Sequence, residues 1–491
     1  MLFSVLNFVR IGEIRSNINK FKYQKMKKTH ITIAILLYSV LSFSQDITGK
    51  WYGTAELGED KKISFIFNIQ NTENTYVTTI EIPTQRVSGL KPQKTSFKNG
   101  ALFIDGANLG IKYEGSFNEN IQQFEGTFSE GLNALPLILK RGKIKLEKTT
   151  KRPQEPVKPY PYKEEEIIFK NKEAHVSLSG TLTLPRANGK FPVVILISGS
   201  GPQDRDETVA NHKPFWILAD YLTRQGIAVL RYDDRGFGKS TGNFSNATTK
   251  DFSTDVVSAV NYLQSRTDID LNNIGLIGHS EGGIIAPLAA NQTNDVSFIV
   301  LLASTGILGS ELSLIQSKTM RPFPVPDEDA YEQAIREAIK IASSDKEISA
   351  IKSELTTHYN ATIAPILKPL VGNDAKVSEI IKGLIETRTT PWIRYFYNYN
   401  PANEIEKLSI PVLSLNGTND TQVSAEINQK GIKDALITGE NKDYKIIKLK
   451  GLNHFFQESK TGKINEYSKI EQTFSPIALK EISNWVLAHL K

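Results

Sequence analysis

Cysteine is absent from the 491 residues of this chain. Its absence excludes disulfide bonds, thiolate metal sites, a cysteine nucleophile and a lipidated N-terminal cysteine. The sequence also lacks an H-E-x-x-H pattern and any glycine loop typical of phosphate or dinucleotide binding, so it predicts no metal and no cofactor. The fractions of hydrophobic residues, 40%, and charged residues, 23%, are ordinary for a soluble globular protein.

A basic surface suited to nucleic acid is also missing. The net charge is +6, but residues 1–44 alone carry seven basic side chains and one acidic side chain, which accounts for all of it. Residues 45–491 are therefore neutral overall and contain no basic stripe interleaved with aromatic residues. Nucleic acid is not an expected partner.

Residues 1–44 are typical of a leader that contains a secretory signal peptide. Met26-Lys27-Lys28 is a charged n-region, residues 31–41 are an apolar run, and residues 42–44 form a small-x-small cleavage site. The apolar run is too short to span a bilayer. We predict translation from Met26, export to the periplasm or out of the cell, and no stable membrane anchor after cleavage. An uncleaved N-terminal anchor is the alternative.

Residues 45–148 alternate between polar and apolar positions in short segments separated by turn-forming residues. Seven segments stand out: WYGTAEL, KISFIFNIQ, YVTTIEI, ALFIDG, IKYEGSF, QFEGTF and LPLILK. This pattern predicts an all-β sandwich or small barrel. The opening residues 49–53, GKWYG, resemble the G-x-W motif of lipocalin-like barrels. A packing or substrate-positioning module is the favoured interpretation, and a ligand-binding barrel is the alternative.

Residues 149–163 contain four prolines and predict a semi-rigid linker. From residue 164 to 491, strands alternate with helices, which predicts a doubly wound, mostly parallel sheet that binds ligands at the carboxyl ends of its strands. It opens with an antiparallel hairpin, and Asp251 is the expected N-cap of its second helix. Residues 307–395 are rich in Glu, Lys, Ala and Ile, and we interpret them as a helical cap inserted after the sixth strand.

The sequence GHSEGG at residues 278–283 lies between a β-branched run and a second apolar run. A G-x-S-x-G motif between a strand and a helix is typical of a nucleophile elbow. The sharp turn projects the Ser280 hydroxyl, and glycines flank it because a Cβ would clash there. A second match surrounds Ser240, but it lies in a Gly- and Asn-rich stretch that we interpret as a solvated loop.

A serine nucleophile needs a base and an orienting acid, which follow it in the order acid, then histidine, in this fold. His454 comes directly after the strand YKIIKLK, so we predict it as the general base and acid. Asp420 follows the preceding strand and is predicted to orient His454, with backbone capping in its own turn as the alternative. His358 and His489 fall in the cap and the last helix, where a structural or solvated role is expected.

Negative charge on a tetrahedral intermediate requires N–H donors. We predict the backbone N–H groups of Glu281 and Ser200 as these donors. The Glu281 carboxylate is expected to pair with Arg205. Two charged clusters, residues 204–207 and 233–235, are expected to form an ion-pair network that stiffens the loops.

Five stretches together resemble the α/β-hydrolase superfamily, namely SGSGPQDRDE (198–207), RYDDRGFGKSTG (231–242), GHSEGG (278–283), NGTNDTQV (416–423) and GLNHFF (451–456). Within it, the chain is similar to bacterial carboxylesterases close to the serine-aminopeptidase-like group that carry an N-terminal β-domain. The resemblance implies Ser280, Asp420 and His454 as the catalytic triad and ester hydrolysis as the activity.

These features predict an exported serine hydrolase that cleaves small-molecule carboxylic esters through an acyl-Ser280 intermediate. A serine aminopeptidase or amidase is one alternative, because the Glu281 carboxylate could bind a substrate α-amino group. A non-catalytic binding protein with a hydrolase-like fold is another. The sequence leaves the identity of the ester and the oligomeric state open.

Overall fold

The computed structural model describes residues 46–56, 62–73, 75–82, 87–106, 111–130, 133–142, 152–186, 188–321 and 324–491. The leader of residues 1–44, with its predicted signal peptide and its start at Met26, lies outside the described residues. In the part that is described, no helix is both long enough and apolar enough to cross a membrane.

The N-terminal domain is one antiparallel sheet. Its described strands are Gly49–Glu56 (β1), Lys62–Thr72 (β2), Thr75–Ile82 (β3), Val87–Leu90 (β4), Lys94–Lys98 (β5), Ala101–Gly106 (β6), Ile111–Asn118 (β7), Gln123–Glu130 (β8) and Asn133–Lys140 (β9). Their spatial order is β4-β3-β2-β1-β9-β8-β7-β6-β5. The Thr95 hydroxyl of β5 donates to the Thr78 hydroxyl of β3 over 2.8 Å. β3 is next to one end of the sheet and β5 is the other end, so this bond shows that the sheet is curled into a half-barrel.

Aromatic side chains fill the inner face of this half-barrel. Trp51, Phe65, Phe124 and Phe128 are all at most 2% exposed. The Trp51 and Phe124 rings lie 4.7 Å apart in an edge-to-face arrangement, and the Phe65 and Phe128 rings lie 4.4 Å apart. This packing favours a packing module over a ligand-binding barrel. The strands β4 and β5 were not among the seven predicted segments, because they are short and carry little apolar alternation.

The C-terminal region is built on a second sheet, whose described strands are Tyr162–Asn171 (β10), Val176–Pro185 (β11), Phe191–Ile197 (β12), Ala228–Tyr232 (β13), Ile269–His279 (β14), Phe298–Leu302 (β15), Val412–Gly417 (β16) and Tyr444–Leu449 (β17). The spatial order is β10-β11-β13-β12-β14-β15-β16-β17. The pairs β10–β11 and β11–β13 are antiparallel, and the pairs from β13 to β17 are parallel. The predicted hairpin and doubly wound sheet are confirmed.

Helices cover both faces of this sheet. The described helices are Pro214–Arg224 (α1), Thr249–Gln264 (α2), Gly282–Ala290 (α3), Gly309–Thr319 (α4), Glu328–Ala342 (α5), Ile348–Thr362 (α6), Ala364–Val371 (α7), Asp374–Arg388 (α8), Pro391–Asn398 (α9), Ala402–Ile405 (α10), Ala425–Thr438 (α11), Ile464–Tyr467 (α12) and Pro476–Ala488 (α13). One apolar core packs α2, α3 and α11 on one face, and a second packs α1 and α13 on the other. Successive residues of β12 alternate between these cores, as expected of a strand buried on both faces.

The N-cap predicted for the second helix was wrong by three residues. Thr248 is the N-cap of α2, and its side chain accepts a hydrogen bond from the backbone N–H of Asp251. The Asp251 carboxylate in turn accepts from the Thr248 N–H over 2.8 Å. This reciprocal capping box uses Thr and Asp together, and it places Asp251 inside the first turn.

The helices α4 to α9 form a cap between β15 and α10. They share an apolar core that also contains Ile284 and Val423. Ile284 belongs to α3, directly after the predicted nucleophile, and Val423 lies three residues after Asp420. The cap therefore packs on the two segments that carry predicted site residues.

The proline-rich segment is tied to the C-terminal region from Arg152 onwards. The Gln154 side chain accepts from the N–H groups of Thr473 and Phe474 over 2.6 and 3.0 Å, and it donates to the Phe474 carbonyl over 2.7 Å. Arg152 donates to the carbonyl groups of Ile470 and Ser468 over 2.8 and 3.1 Å. These bonds hold the segment against the chain that precedes α13.

Candidate active site

Ser280 lies in a strained turn between β14 and α3. Its φ of 53° is in the left-handed region, which non-glycine residues rarely adopt. A Cβ on Gly278 would overlap the carbonyl oxygen of Gly282, and a Cβ on Gly282 would overlap the carbonyl oxygen of Ile197. The Ser280 N–H donates to the Leu302 carbonyl over 2.8 Å, which fixes the turn to β15. The glycines are therefore required by the geometry of the turn.

His454 and Asp420 form a buried pair at the carboxyl edge of the sheet. The distance between His454 Nδ1 and Asp420 Oδ2 is 2.7 Å, and the two side chains are 4% and 0% exposed. The other oxygen of Asp420 accepts from the N–H groups of Gln422 and Val423, both over 2.8 Å. Asp420 therefore caps its own turn with one oxygen and accepts from His454 with the other. Because Nδ1 donates to the carboxylate, the Nε2 atom of a neutral His454 is left as a proton acceptor.

The structure connects the Ser280 turn to this pair through the residue before Ser280. The preceding residue, His279, donates from Nε2 to the carbonyl oxygen of His454 over 2.9 Å. Among the hydrogen bonds of the described residues, none joins the Ser280 hydroxyl to the His454 ring. Nucleophile and base are often loosely aligned without substrate, so this spacing is compatible with a resting site.

Two acids hold the loop that follows β12. The Asp234 carboxylate accepts from the Ser198 hydroxyl over 2.9 Å and from the Gln203 N–H over 2.8 Å. The Glu207 carboxylate accepts from the Gly199 N–H over 2.8 Å. Burial raises the pKa of Asp234 well above its usual value, and the hydrogen bonds from the loop oppose this rise. The Gly199 N–H already donates to Glu207, so it is not available to an oxyanion. The predicted donor, Ser200, is the next residue of the loop.

Glu281 does not pair with Arg205, so this expectation was wrong. The Glu281 carboxylate is buried and accepts from the Thr249 hydroxyl over 2.8 Å and from Trp392 Nε1 over 2.7 Å. Burial raises the pKa of Glu281, while hydrogen bonds from Trp392, Thr249 and Ser200 partly offset the rise. Trp392 belongs to α9, so this carboxylate links the elbow to the cap.

Arg205 is instead the centre of an ion-pair network. Its guanidinium lies 2.9 Å from Asp233 and 2.9 Å from Glu166 of β10. Arg231 forms a buried ion pair with Asp206, which also lies 2.8 Å from Lys213. These contacts match the loop-stiffening network that the two charged clusters predicted.

The second G-x-S-x-G match is structural but not solvated. Ser240 is 1% exposed, its hydroxyl donates to the Asp233 carbonyl over 2.7 Å, and it accepts from the Ser179 N–H over 3.0 Å. His358 contacts the Ala334 carbonyl over 2.7 Å within the cap. His489 contacts the Trp485 carbonyl over 2.7 Å within the last helix. Both histidines have the structural surroundings expected of them.

Sequence reasoning missed one pair of residues next to the site. His279 Nδ1 lies 2.7 Å from Glu207 Oε1, and both side chains are at most 4% exposed. Both residues were inside quoted motifs, but they are 72 positions apart. The signal that could have found them is the presence of an acid in the loop after β12 and of a histidine at the end of the neighbouring strand β14.

A cavity of about 310 Å³ lies away from these residues. Its lining includes Glu166, Thr181, Arg205, Asp206 and Arg231 but none of Ser280, Asp420 and His454. The two arginines of the lining already pair with its acids. The candidate chemistry therefore does not extend to this cavity.

The chain is similar to one protein family and to several individual proteins. Residues 214–326 match the family described as serine aminopeptidase, S33. Esterase EstD of Thermotoga maritima is 26% identical over 325 residues, which cover 65% of this chain and 68% of EstD. The uncharacterised protein YfhR of Escherichia coli is 33% identical over 94 residues, but the match covers only 32% of YfhR. The Pyrococcus furiosus esterase Pf2001 aligns with a TM-score of 0.41 and 16% identity over 67% of this chain and 91% of its own.

Three features of the C-terminal region define its fold. The second sheet has a doubly wound strand order, a strained turn at Ser280 follows the fifth strand in sequence, and a helical cap precedes β16. The matches to the S33 family and to EstD are consistent with that arrangement. The chain therefore has an α/β-hydrolase fold preceded by an N-terminal half-barrel domain, and it is similar to the serine aminopeptidase S33 family over residues 214–326.

Proposed function

We propose that this chain is an exported serine carboxylic-ester hydrolase that acts through an acyl-Ser280 intermediate. The observation that carries the proposal is the buried 2.7 Å hydrogen bond between His454 and Asp420 beside the strained turn of Ser280. Esterase EstD supports the choice of esters as substrates.

In the first half of the reaction, the Ser280 oxygen attacks the ester carbonyl carbon while His454 Nε2 accepts the serine proton. Asp420 stabilises the imidazolium that forms. The backbone N–H groups of Glu281 and Ser200 donate to the oxyanion. When the tetrahedral intermediate collapses, the alcohol leaves with the proton that His454 returns, and the acyl group stays on Ser280.

In the second half, a water molecule attacks the acyl-Ser280 carbonyl and gives one proton to His454. Collapse of this intermediate breaks the bond to Ser280, and His454 protonates the serine oxygen. The products are one alcohol and one carboxylic acid, and the enzyme returns to its starting state. The cap, which packs on Ile284 and Val423, would limit the size of the acyl or alcohol group.

The test is hydrolysis of p-nitrophenyl acetate, butyrate and octanoate by the full-length chain and by Ser280→Ala. We expect turnover by the native chain and a loss of several orders of magnitude in the variant, because the nucleophile is gone. Ser240→Ala is the matched control, since it alters the other G-x-S-x-G motif, and it should retain turnover. The order of rates on the three esters would report the size of the acyl pocket.

Equal, slow rates for the native chain and Ser280→Ala would reject the esterase proposal. Aminoacyl p-nitroanilides would then test the aminopeptidase alternative, which the S33 match favours. The Glu281 carboxylate that would bind an α-amino group is occupied by Thr249 and Trp392, which disfavours that alternative. Failure on both substrate classes, with no fluorophosphonate labelling of Ser280, would leave the non-catalytic binding protein.

Export is the second part of the proposal and rests on residues 26–44 alone. Cell fractionation of the chain with and without these residues tests it. The chain with the leader should accumulate outside the cytoplasm with Gln45 as its first residue. Retention of both forms in the cytoplasm would contradict export and leave the proposed chemistry unaffected.

A further inference from the structure

His279 bridges the three segments from which the candidate site is assembled. It belongs to the elbow and lies directly before Ser280. Its Nδ1 atom lies 2.7 Å from Glu207 Oε1, and its Nε2 atom lies 2.9 Å from the His454 carbonyl oxygen. Glu207 Oε1 also accepts from the N–H of Gly199 in the loop after β12. One imidazole therefore connects the segments of the nucleophile, the base and an oxyanion donor.

The bonds around His279 constrain the charge of the pair. A carbonyl oxygen can only accept, so His279 Nε2 carries a hydrogen. Glu207 Oε1 accepts from the Gly199 N–H and also lies 2.7 Å from His279 Nδ1. Two donors on one oxygen suit an ionised carboxylate, and His279 Nδ1 is then the second donor. In that arrangement His279 is an imidazolium ion paired with Glu207.

We propose that His279 is a protonated positioning residue, which holds the backbone of His454 against the nucleophile elbow and limits the basicity of the His454 ring through its charge. The inference rests on the proposed function, because it assigns His454 as the base. Burial alone would lower the pKa of His279, but Glu207 and the hydrogen bonds raise it above the usual value.

The charged groups that face His279 come from three elements. Glu207 lies in the segment after β12, Asp420 follows β16, and His454 follows β17 with its ring centroid 4.7 Å from that of His279. A positive charge at this distance opposes a second positive charge on His454. Asp420 offsets this effect through its direct bond to His454.

The experiment compares His279→Gln with His212→Gln in the full-length chain. His212 is a matched control, because it is also buried, with Nδ1 bonded to the Thr473 hydroxyl over 2.8 Å and Nε2 to the Tyr467 carbonyl over 2.9 Å. Both of these partners lie outside the elbow. His279→Gln should lower kcat for p-nitrophenyl acetate by about 100-fold, the scale of a displaced catalytic group, with little change in KM. His212→Gln should change neither.

The pH profile separates positioning from a general loss of structure. His279→Gln removes a positive charge beside His454 and leaves the Glu207 carboxylate in place, and both changes favour a proton on the His454 ring. The acid limb of kcat/KM should therefore move to higher pH in this variant and stay in place in His212→Gln. An unchanged kcat and an unchanged acid limb in His279→Gln would overturn the inference.

Histidine-selective ¹⁵N NMR provides a test that reads the charge of His279 in the native chain. The resonances of His279 are assigned as those that change in Glu207→Gln. At pH 7.5, about one unit above the usual histidine pKa, they should have the shifts of an imidazolium in the native chain. Neutral-ring shifts for His279 would refute the inference. An active native chain with a normal His279→Gln variant would overturn the inference alone, whereas native and Ser280→Ala chains of equal rate would overturn the proposed function and the inference with it.

Discussion

Asp420 shows how one side chain can meet two demands. Its Oδ1 atom accepts from the N–H groups of Gln422 and Val423, and its Oδ2 atom accepts from His454. From sequence, backbone capping and histidine orientation were alternatives for this residue. A carboxylate has two oxygens with about four acceptor sites, so the alternatives are compatible. The turn bonds fix the carboxylate before it orients the histidine.

Asp420→Asn separates these two tasks. The amide oxygen can still accept from the turn, but the amide nitrogen cannot accept from His454 Nδ1, which favours the wrong histidine tautomer. We expect kcat on p-nitrophenyl esters to fall by about 10⁴-fold, as for triad acids in general. The urea midpoint should change little.

Asp420→Ala is the comparison variant, because it removes both tasks. It should lose activity to a similar extent and lower the free energy of unfolding by about 1–3 kcal/mol, the cost of backbone groups without partners. Native-like esterase rates in Asp420→Asn would disprove the assigned role.

The elbow is the element in which sequence and geometry agree most closely. The turn brings α3 so near to β12 that a Cβ on Gly282 would lie 2.7 Å from the Ser198 carbonyl oxygen and still nearer to that of Ile197. Both obstacles are backbone atoms, which cannot rotate away. The same approach brings the first turn of α3, with its N–H groups, next to the Ser280 side chain and the loop after β12.

Gly282→Ala should therefore be strongly destabilising, by about 3 kcal/mol, the upper range for overpacking. Gly383→Ala is the matched substitution in a different element. Gly383 lies inside α8, and a Cβ there would meet nothing within 4 Å. It should stabilise the chain by about 0.5–1 kcal/mol, because alanine loses less backbone freedom in a helix. Urea denaturation of both variants would measure the difference, and equal midpoints would contradict the clash at Gly282.

Two contacts between regions that are distant in sequence differ in how well they are shielded from water. The Gln154 side chain satisfies two backbone N–H groups and one carbonyl group of Thr473 and Phe474. Lys112 of the half-barrel reaches Glu379 of the cap over 2.9 Å, but this ion pair is largely exposed, with side chains 31% and 62% accessible. Water screens the ion pair, whereas the backbone groups beside Gln154 depend on its side chain.

Gln154→Ala should consequently lower the free energy of unfolding by about 1–3 kcal/mol, because it leaves backbone groups without partners. Lys112→Ala should cost at most about 1 kcal/mol, and salt should reduce the effect. Urea titrations at low and high ionic strength would measure both changes. If Lys112→Ala lowered the free energy of unfolding by more than Gln154→Ala, this prediction would be wrong.

The fold class and the local geometry of the Ser280 turn were predictable from the sequence. G-x-S-x-G between two apolar runs predicted the turn of Ser280, because a sharp strand-to-helix turn leaves no room for a Cβ at its flanks and so requires glycine there. The strand–helix alternation predicted the doubly wound sheet, and chain order brought Asp420 and His454 to its carboxyl edge. Each of these inferences depends on local spacing or on the rule that parallel strands end at the same edge.

Which side chains bond to one another depends on the tertiary structure. The Glu281 carboxylate bonds to Thr249 and Trp392 rather than to Arg205, since the cap and α2 approach it from directions that periodicity does not encode. The bond between His279 and Glu207 spans 72 positions and depends on the register of β14 against β12. Hydrogen bonds form only within about 3 Å, so their partners are fixed by packing at a precision that a sequence pattern lacks.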